Sequence, residues 1–219
     1  MKHIFFLLVF ALLVPAVQAA PVTAQTGASR RQIMLQRYAP KAAVTKALTA
    51  EGFLEAATKG DTETIFSVKD ITLFDQTDKF SNNCFHLAKD EATLQALAAV
   101  IRRLDENNSR RIIRQLRNQR NNMGETPLMR QINLGKAQMF EPLYRGSELA
   151  ESIRETRSVS KGGALNIPAK IKEGITKSLS KDNSGRTVAQ AALANINEPG
   201  MDKVVAYFEE HAPYLLNNF

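Results

Sequence analysis

A turn followed by two short helices is the pattern that most constrains the fold of this 219-residue chain. The pattern is clearest from Gly124 to Leu128. Thr126 is a good N-cap, because its hydroxyl can accept a hydrogen bond from a helix N–H that has no partner within the helix. Pro127 suits the first helical position, where its missing N–H would be unpaired anyway. Gly135 then predicts the end of a short helix, after which a second helix begins.

Three further segments repeat this unit in part. Residues 81–88, with the sequence SNNCFHLA, repeat the turn and the start of the first helix, and residues 91–104 supply the second helix. Near the C-terminus, residues 185–192 repeat the turn and first helix, and residues 201–211 supply the second. Residues 52–70 keep two helices and the Gly-Asp between them, without the preceding turn. Four helix-pair units in series therefore predict a repeat protein.

These segments resemble ankyrin repeats, whose shared pattern is Gly-x-Thr-Pro-Leu-His-x-Ala followed by a Gly-containing loop and a second helix. Residues 124–128 are a near-complete copy, and residues 86–88 and 185–187 are partial copies. The resemblance covers about 48–215 apart from insertions. It implies an all-α fold, an ankyrin-like helical solenoid in which each helix pair completes its core by stacking on its neighbours.

The spacing between units is longer than the roughly 33 residues of a regular ankyrin repeat. Ser81 and Gly124 are 43 positions apart, and Gly124 and Gly185 are 61 positions apart. Because the extra residues must form longer second helices or inserted helices, we expect irregular, insertion-bearing repeats. The segments 105–122 and 148–181 carry this extra length, and a Gly-Gly pair at 162–163 predicts a break in the second segment.

The first 19 residues have the composition of a secretory signal peptide. Lys2 provides the positive start, residues 4–14 are apolar, and Val17 and Ala19 are the small side chains expected at a cleavage site. An uncleaved anchor is the alternative, but the apolar run is shorter than the roughly 20 residues that span a bilayer. We therefore expect cleavage after Ala19, and a periplasmic or secreted protein that is not transmembrane after cleavage.

The remainder of the chain divides at a change in composition. Residues 20–39 begin with a polar stretch rich in Thr, Ser and Gln, which predicts a disordered N-terminal segment. Residues 40–219 are then the expected ankyrin-repeat domain, whose capping helices begin within residues 40–50.

The chain is poor in groups that carry out catalysis. Cys84 is the only cysteine, so it cannot form an internal disulfide, and we expect a small buried residue rather than a nucleophile. His86 occupies the histidine position of the ankyrin pattern, and the resemblance implies that its ring bonds the backbone of a neighbouring loop. Together with His211, these residues do not have the spacing of a metal-ligand cluster. We therefore predict a protein that is not an enzyme, with no cofactor and no metal.

The charge of the chain limits its partners. The formal net charge is +7 and the isoelectric point is about 9.6. A basic surface favours acidic partners, whether proteins, phospholipid headgroups or surface polymers. Nucleic acid is the usual first expectation for such a charge, but export makes it the poorer one. Two classes of function remain open.

The first class is a protein-binding module. The resemblance implies that the tips of the turns and the exposed face of the first helices form one contact surface for a protein partner. Phe80 is a candidate aromatic anchor at such a tip, unless it packs back on the neighbouring repeat. The full set of candidate binding residues is Lys79, Phe80, Lys89, Asn122, Met123, Arg130, Gln131 and Asn183.

The second class is binding to an anionic surface. Seven arginines lie within the nineteen residues from Arg102 to Arg120. A basic amphipathic helix can lie on an anionic membrane or polymer surface, and the candidate residues for this function are Arg110, Arg114 and Arg117. The alternative is that these arginines cover the outer faces of long helices and keep the protein soluble.

Overall fold

Helices make up most of the part of the chain that the computed structural model describes, residues 48–160 and 168–217. In chain order they are α1 (Ala50–Lys59), α2 (Thr62–Ser67), α3 (Cys84–Leu87), α4 (Glu91–Leu104), α5 (Ser109–Asn118), α6 (Pro127–Asn133), α7 (Phe140–Tyr144), α8 (Glu148–Ser160), α9 (Ala169–Ser180), α10 (Val188–Ala194) and α11 (Met201–His211). Short 3₁₀ helices span Ile71–Asp75, Ala137–Met139 and Pro213–Leu215. These residues contain no β-strand, only an isolated antiparallel bridge. The prediction of an all-α fold is confirmed.

Several sequence-based expectations lie outside the described residues. They are the signal peptide over 1–19, the disordered segment over 20–39, the start of the capping helices before residue 48, and the Gly-Gly break at 162–163. All described residues belong to one compact unit, 39–219.

The first helix of each turn-bearing unit begins at a polar capping side chain. Asn83 caps α3, Thr126 caps α6 and Thr187 caps α10, and each accepts a hydrogen bond from a backbone N–H of the first turn. In α6 the Thr126 hydroxyl accepts from the N–H of Met129 at 3.4 Å, and Pro127 occupies the first helical position. These contacts are those that the Thr-Pro pair predicts, because they satisfy N–H groups that the helix itself cannot.

The first helices lie side by side in a row. Helix α1 contacts α3, α3 contacts α6, and α6 contacts α10. One hydrophobic cluster contains the buried side chains of Phe53 in α1, Phe85 in α3, Ile132 in α6 and Ala192 in α10. Burying a side chain such as Phe or Ile contributes about 1.5–3 kcal/mol relative to leaving it exposed. The hydrophobic core is therefore shared between neighbouring units.

Helices account for the extra length between the units, as the spacing predicts. Helix α5 packs against α4 and α6, and α8 packs against α9. At the α8–α9 contact, the hydroxyls of Ser152 and Thr176 are hydrogen-bonded, and Lys172 Nζ lies 3.5 Å from Glu155 Oε2. Within residues 48–160 and 168–217, no helix is both long and apolar enough to cross a membrane.

Candidate functional site

Three turns with the same hydrogen-bonding pattern precede α3, α6 and α10. We name them turn A (78–82), turn B (121–125) and turn C (182–186). In each, the side-chain oxygen of the first residue accepts from the backbone N–H groups two and four residues later, at 2.8–3.0 Å. The first residue also donates its own N–H to the carbonyl of the fifth residue at 3.0 Å. The residues that play this role are Asp78, Asn121 and Asp182.

The fourth residue of each turn has a left-handed backbone conformation. Its φ is 61° at Ser81, 74° at Gly124 and 81° at Gly185. Glycine adopts this conformation at no steric cost, whereas serine does not. An Asp or Asn five residues before the helix N-cap, with Gly or Ser between them, is the signal that marks these turns in the sequence. The residues expected to contact a partner, Lys79, Phe80, Asn122, Met123 and Asn183, lie within these turns, but the residues that build the turns were not among those expected to have a function.

The three turns are hydrogen-bonded to one another in series. The N–H of Asn122 in turn B donates to the carbonyl of Phe80 in turn A at 3.0 Å. The N–H of Asn183 in turn C donates to the carbonyl of Met123 in turn B, also at 3.0 Å. The hydroxyl of Ser81 adds a bond to Asn122 Oδ1 at 2.6 Å. We call the three connected turns the turn row.

Buried polar side chains support the joint between turns A and B. His86 Nε2 donates to the carbonyl of Glu125 at 3.0 Å, and its Nδ1 accepts from the N–H of Asn83 at 3.2 Å. Burial lowers the pKa of His86 to about 4, so the ring is neutral at pH 7. Asn121 Nδ2 donates to Asn82 Oδ1 at 2.9 Å. The expectation that His86 bonds the backbone of a neighbouring loop is confirmed.

Two large apolar side chains are exposed on the turn row. Phe80 is 54% exposed and Met123 is 63% exposed. More than half of the Phe80 side chain therefore remains accessible to a partner. Lys79 Nζ lies 5.1 Å from the centre of the Phe80 ring, at the distance of a cation–π contact. Asn122 and Asn183 are also exposed beside them.

The candidate residues on the first helices differ in exposure. Lys89, just after α3, is exposed. Arg130 is partly buried, with 29% of its side chain exposed, and lies 3.9 Å from Glu125. The turn tips and these two cations therefore remain accessible together.

Gln131 is a correction to the expected surface, because it is only 1% exposed. Its Nε2 donates to the carbonyls of His86 and Ala88 at 2.8 and 3.1 Å. Carbonyls at the end of α3 have no partner within that short helix, so the face of α6 that packs on α3 supplies the donor. The prediction that Gln131 contacts a partner from an exposed position is wrong.

The three arginines of the second candidate site have different environments. Arg110 is exposed, whereas Arg114 forms an ion pair with Glu151 at 2.8 Å. Arg117 is half-buried and donates to the carbonyl of Arg145 at the end of α7. Burial, with the nearby charge of Arg102, lowers the pKa of Arg117. The expectation of one free cationic face is therefore wrong at Arg117.

Two more arginines of the same segment bind the ends of other helices. Arg103 donates to the carbonyls of Phe66 and Val68 at the end of α2. Arg120 donates to the carbonyls of Ser178 and Leu179 near the end of α9, at 3.1 and 2.9 Å. A cation is favourable there, because the last carbonyls of a helix are unpaired and carry partial negative charge.

The Cys84 thiol and the His, Cys, Asp and Glu side chains are the groups expected to serve in nucleophilic chemistry or metal binding. Cys84 is fully buried, and burial raises the pKa of its thiol, which disfavours the reactive thiolate. This agrees with the expected small buried residue. Within the described ranges, no three His, Cys, Asp or Glu residues come close enough to hold a metal ion.

No protein-family model, curated protein or solved structure matches the chain.

Proposed function

We propose that the chain is a non-enzymatic protein-binding module that contacts a protein partner through the turn row and the adjoining first helices. The observation that carries this proposal is the exposure of Phe80 and Met123 on neighbouring turns whose backbones are hydrogen-bonded to each other. Large apolar side chains are typical energetic centres of protein interfaces. A backbone already held in place loses little entropy on binding, which favours affinity.

The proposed architecture is an ankyrin-like helical solenoid with irregular, insertion-bearing repeats. Three observations support it: the equal hydrogen bonding of turns A, B and C, the row formed by α1, α3, α6 and α10, and the bond from His86 to the next turn. Inserted helices α5, α8 and α9 account for the unequal spacing. Such stacks present neighbouring turns as one extended surface.

The charge around the apolar pair indicates the chemistry of the partner. Lys79 lies on the turn row and Arg130 on α6 beside it, while Lys89 follows the far end of α3. We therefore propose a partner surface with an apolar pocket and acidic residues at its edge. Since the N-terminal sequence has the composition of a signal peptide, the partner is sought in the periplasm or among secreted and surface proteins.

Affinity capture with a paired set of variants tests this function. The mature chain from Ala20 serves as bait in an extract of the exporting compartment, and retained proteins are identified by mass spectrometry. The test variant is Phe80→Ala with Met123→Ala. The control is Ile171→Ala with Ile175→Ala, which removes two exposed isoleucines from the inserted helix α9, outside the turn row and the first helices.

The test variant is expected to bind the captured partner at least about tenfold more weakly, because truncating interface anchors costs more than about 1 kcal/mol each. The control is expected to bind normally, and both variants are expected to keep the helical circular dichroism spectrum. A partner that is retained by the tip variant and lost by the control would show that the turn row is not the interface.

The alternative function, binding to an anionic membrane or polymer surface, depends on the arginines that remain exposed. Arg110 fits this function, but Arg114 is paired and Arg117 is turned towards a backbone carbonyl. Sedimentation with anionic liposomes distinguishes the two classes. Under the alternative, binding weakens with salt and is lost in Arg110→Glu, whereas the tip variant binds liposomes normally.

A further inference from the structure

A cavity of about 290 Å³ lies between the end of α7, helix α8 and helix α11. Arginines, tyrosines and a histidine line it, together with the small or apolar residues Ala150 and Ile153. Its volume is near the lower end of the range found for small-molecule sites, roughly 300–1,000 Å³. No residue of the turn row lines it, so it would serve a function separate from the proposed partner contact.

Positive charge dominates the lining of this cavity. Arg145, Arg154 and Arg157 all line it, and no Asp or Glu does. Arg145 is paired with Glu141, one turn earlier in the chain. Arg154 and Arg157 are three positions apart on α8, so both lie on one side of that helix. Among the residues that the structure describes, neither has an ion pair or hydrogen-bond partner.

The wall opposite α8 is aromatic and carries hydroxyl groups. The Tyr207 hydroxyl lies 2.8 Å from the Tyr144 hydroxyl. Since this one contact uses only one of the two hydroxyl protons, the other proton has no acceptor within the described residues. The ring of Tyr207 also faces that of His211, with centroids 4.3 Å apart. The cavity therefore combines a flat apolar surface with a spare O–H donor.

We propose that this cavity binds a small organic anion in which one carboxylate or phosphate group is attached to an aromatic ring. Arg154 and Arg157 hold the oxyanion, because guanidinium groups donate pairs of parallel hydrogen bonds to carboxylate and phosphate oxygens. The ring of the ligand packs on Tyr207. The spare tyrosine hydroxyl donates to the oxyanion or to a polar substituent on the ring.

Calorimetric titration of the purified protein with three probes tests this site. The probes are benzoate, phenyl phosphate and inorganic phosphate. Saturable binding of benzoate or phenyl phosphate is expected, and the tighter of the two identifies the anionic group. Inorganic phosphate is expected to bind more weakly than the preferred aromatic probe, because it cannot use the aromatic wall. Equal binding of inorganic phosphate and the preferred probe would overturn the aromatic part of the proposal.

Two arginine pairs provide the matched comparison. Arg154→Gln with Arg157→Gln is expected to weaken binding by about tenfold or more, since charge-assisted hydrogen bonds are lost. Arg102→Gln with Arg111→Gln removes the same charge from exposed arginines of α4 and α5 and is expected to leave binding unchanged. Arg157→Lys keeps the charge but loses the paired donors, and is expected to give an intermediate affinity.

The proposal is overturned if none of the three probes binds saturably. It is also overturned if the pair Arg102→Gln with Arg111→Gln weakens binding as much as the α8 pair, which would mean that only the net charge matters. Circular dichroism of each variant shows that the comparison is made between folded proteins.

Discussion

In both the turn row and the basic segment from Arg102 to Arg120, the exposed side chains differ from those that the amino-acid composition suggests. The turn row is rich in Asp, Asn and Ser, yet Phe80 and Met123 are its most prominent exposed side chains. The basic segment has seven arginines, yet three of its guanidinium groups bind backbone carbonyls of other helices. In both regions, polar side chains form hydrogen bonds within the protein.

One physical reason explains both cases. A tight turn leaves backbone N–H groups without partners, and the end of a helix leaves carbonyls without partners. Short Asp and Asn side chains satisfy the turns, and long arginine side chains reach the ends of helices. Only the side chains left over are available to a partner. In the turn row those include Phe80 and Met123 beside Lys79, Asn122 and Asn183, and in α5 they are fewer cations than the sequence contains.

The largest effect that we predict concerns the joint between turns B and C. A Cβ at position 124 would lie 2.8 Å from the backbone nitrogen of Asn183 and still closer to its side chain, whereas a Cβ at position 185 meets nothing within 4 Å. Gly124→Ala is therefore expected to destabilise the protein by about 3 kcal/mol, through backbone strain and overpacking together. Gly185→Ala has the same strain alone and is expected to lose about 1 kcal/mol.

Urea denaturation of the two glycine variants measures this difference. Equal losses of stability would mean that Asn183 of turn C is not in close contact with Gly124 of turn B. The turn row would then end at turn B.

The next prediction concerns the joint between turns A and B and depends on pH. Because the pKa of His86 is about 4 in the folded protein and near 6.5 when unfolded, only the unfolded state takes up a proton between these values. The free energy of unfolding is therefore expected to fall as pH is lowered from about 6.5 to 4, by at most about 3 kcal/mol. Below pH 4 this contribution levels off, since the folded state is protonated as well.

Denaturation curves at several pH values, for wild type and His86→Gln, isolate this contribution. The variant is expected to show a shallower decline over the same window. Parallel declines would assign the pH dependence to other groups.

A smaller effect is expected in the basic segment. Arg120→Gln removes the donor to Ser178 and Leu179, and we expect a loss of about 1–2 kcal/mol with faster hydrogen exchange in α9. Arg110→Gln removes the same charge from an exposed position and is expected to change stability by less than about 0.5 kcal/mol. If both variants were equally stable, the arginines of this segment would be interchangeable surface charges after all.

The smallest effect is a gain of stability in turn A. Ser81→Gly relieves a left-handed serine, which is worth about 1 kcal/mol, but loses the hydroxyl bond to Asn122. The net expectation is a stabilisation of about 0.5 kcal/mol, seen as a higher thermal midpoint. Ser184→Gly, at a position without positive φ, is the control and is expected to destabilise. A destabilised Ser81→Gly variant would show that the hydroxyl bond outweighs the strain.

The features that could be predicted from the sequence depend on local or repeated patterns. The helix start at Thr126 and Pro127 follows from neighbouring residues alone. The bond from His86 to Glu125 crosses 39 positions, but the place of His86 in the repeat pattern implied it. Helices in the extra segments followed from the length of chain between the repeated units.

The features that could not be predicted depend on where separate helices and turns meet in the folded protein. Gln131 lies on a short helix whose buried side is fixed by where α3 ends, and Arg117 reaches a carbonyl 28 positions away. Neither partner belongs to the repeated pattern. The cavity beside α8 could not be predicted from the sequence for the same reason. Its residues Arg154 and Arg157 come from an insertion, and Tyr207 comes from a distant repeat.

The insertion between turns B and C also has a consequence in terms of chain entropy. Met123 and Asn183 are hydrogen-bonded although 60 positions separate them. The free energy of closing a flexible loop grows only with the logarithm of its length, so the longer spacing adds only about 0.3 kcal/mol relative to the interval between turns A and B. The array can therefore accept a helical hairpin at small equilibrium cost. The insertion is expected to slow folding instead, because the contact that is more distant in sequence forms later during folding.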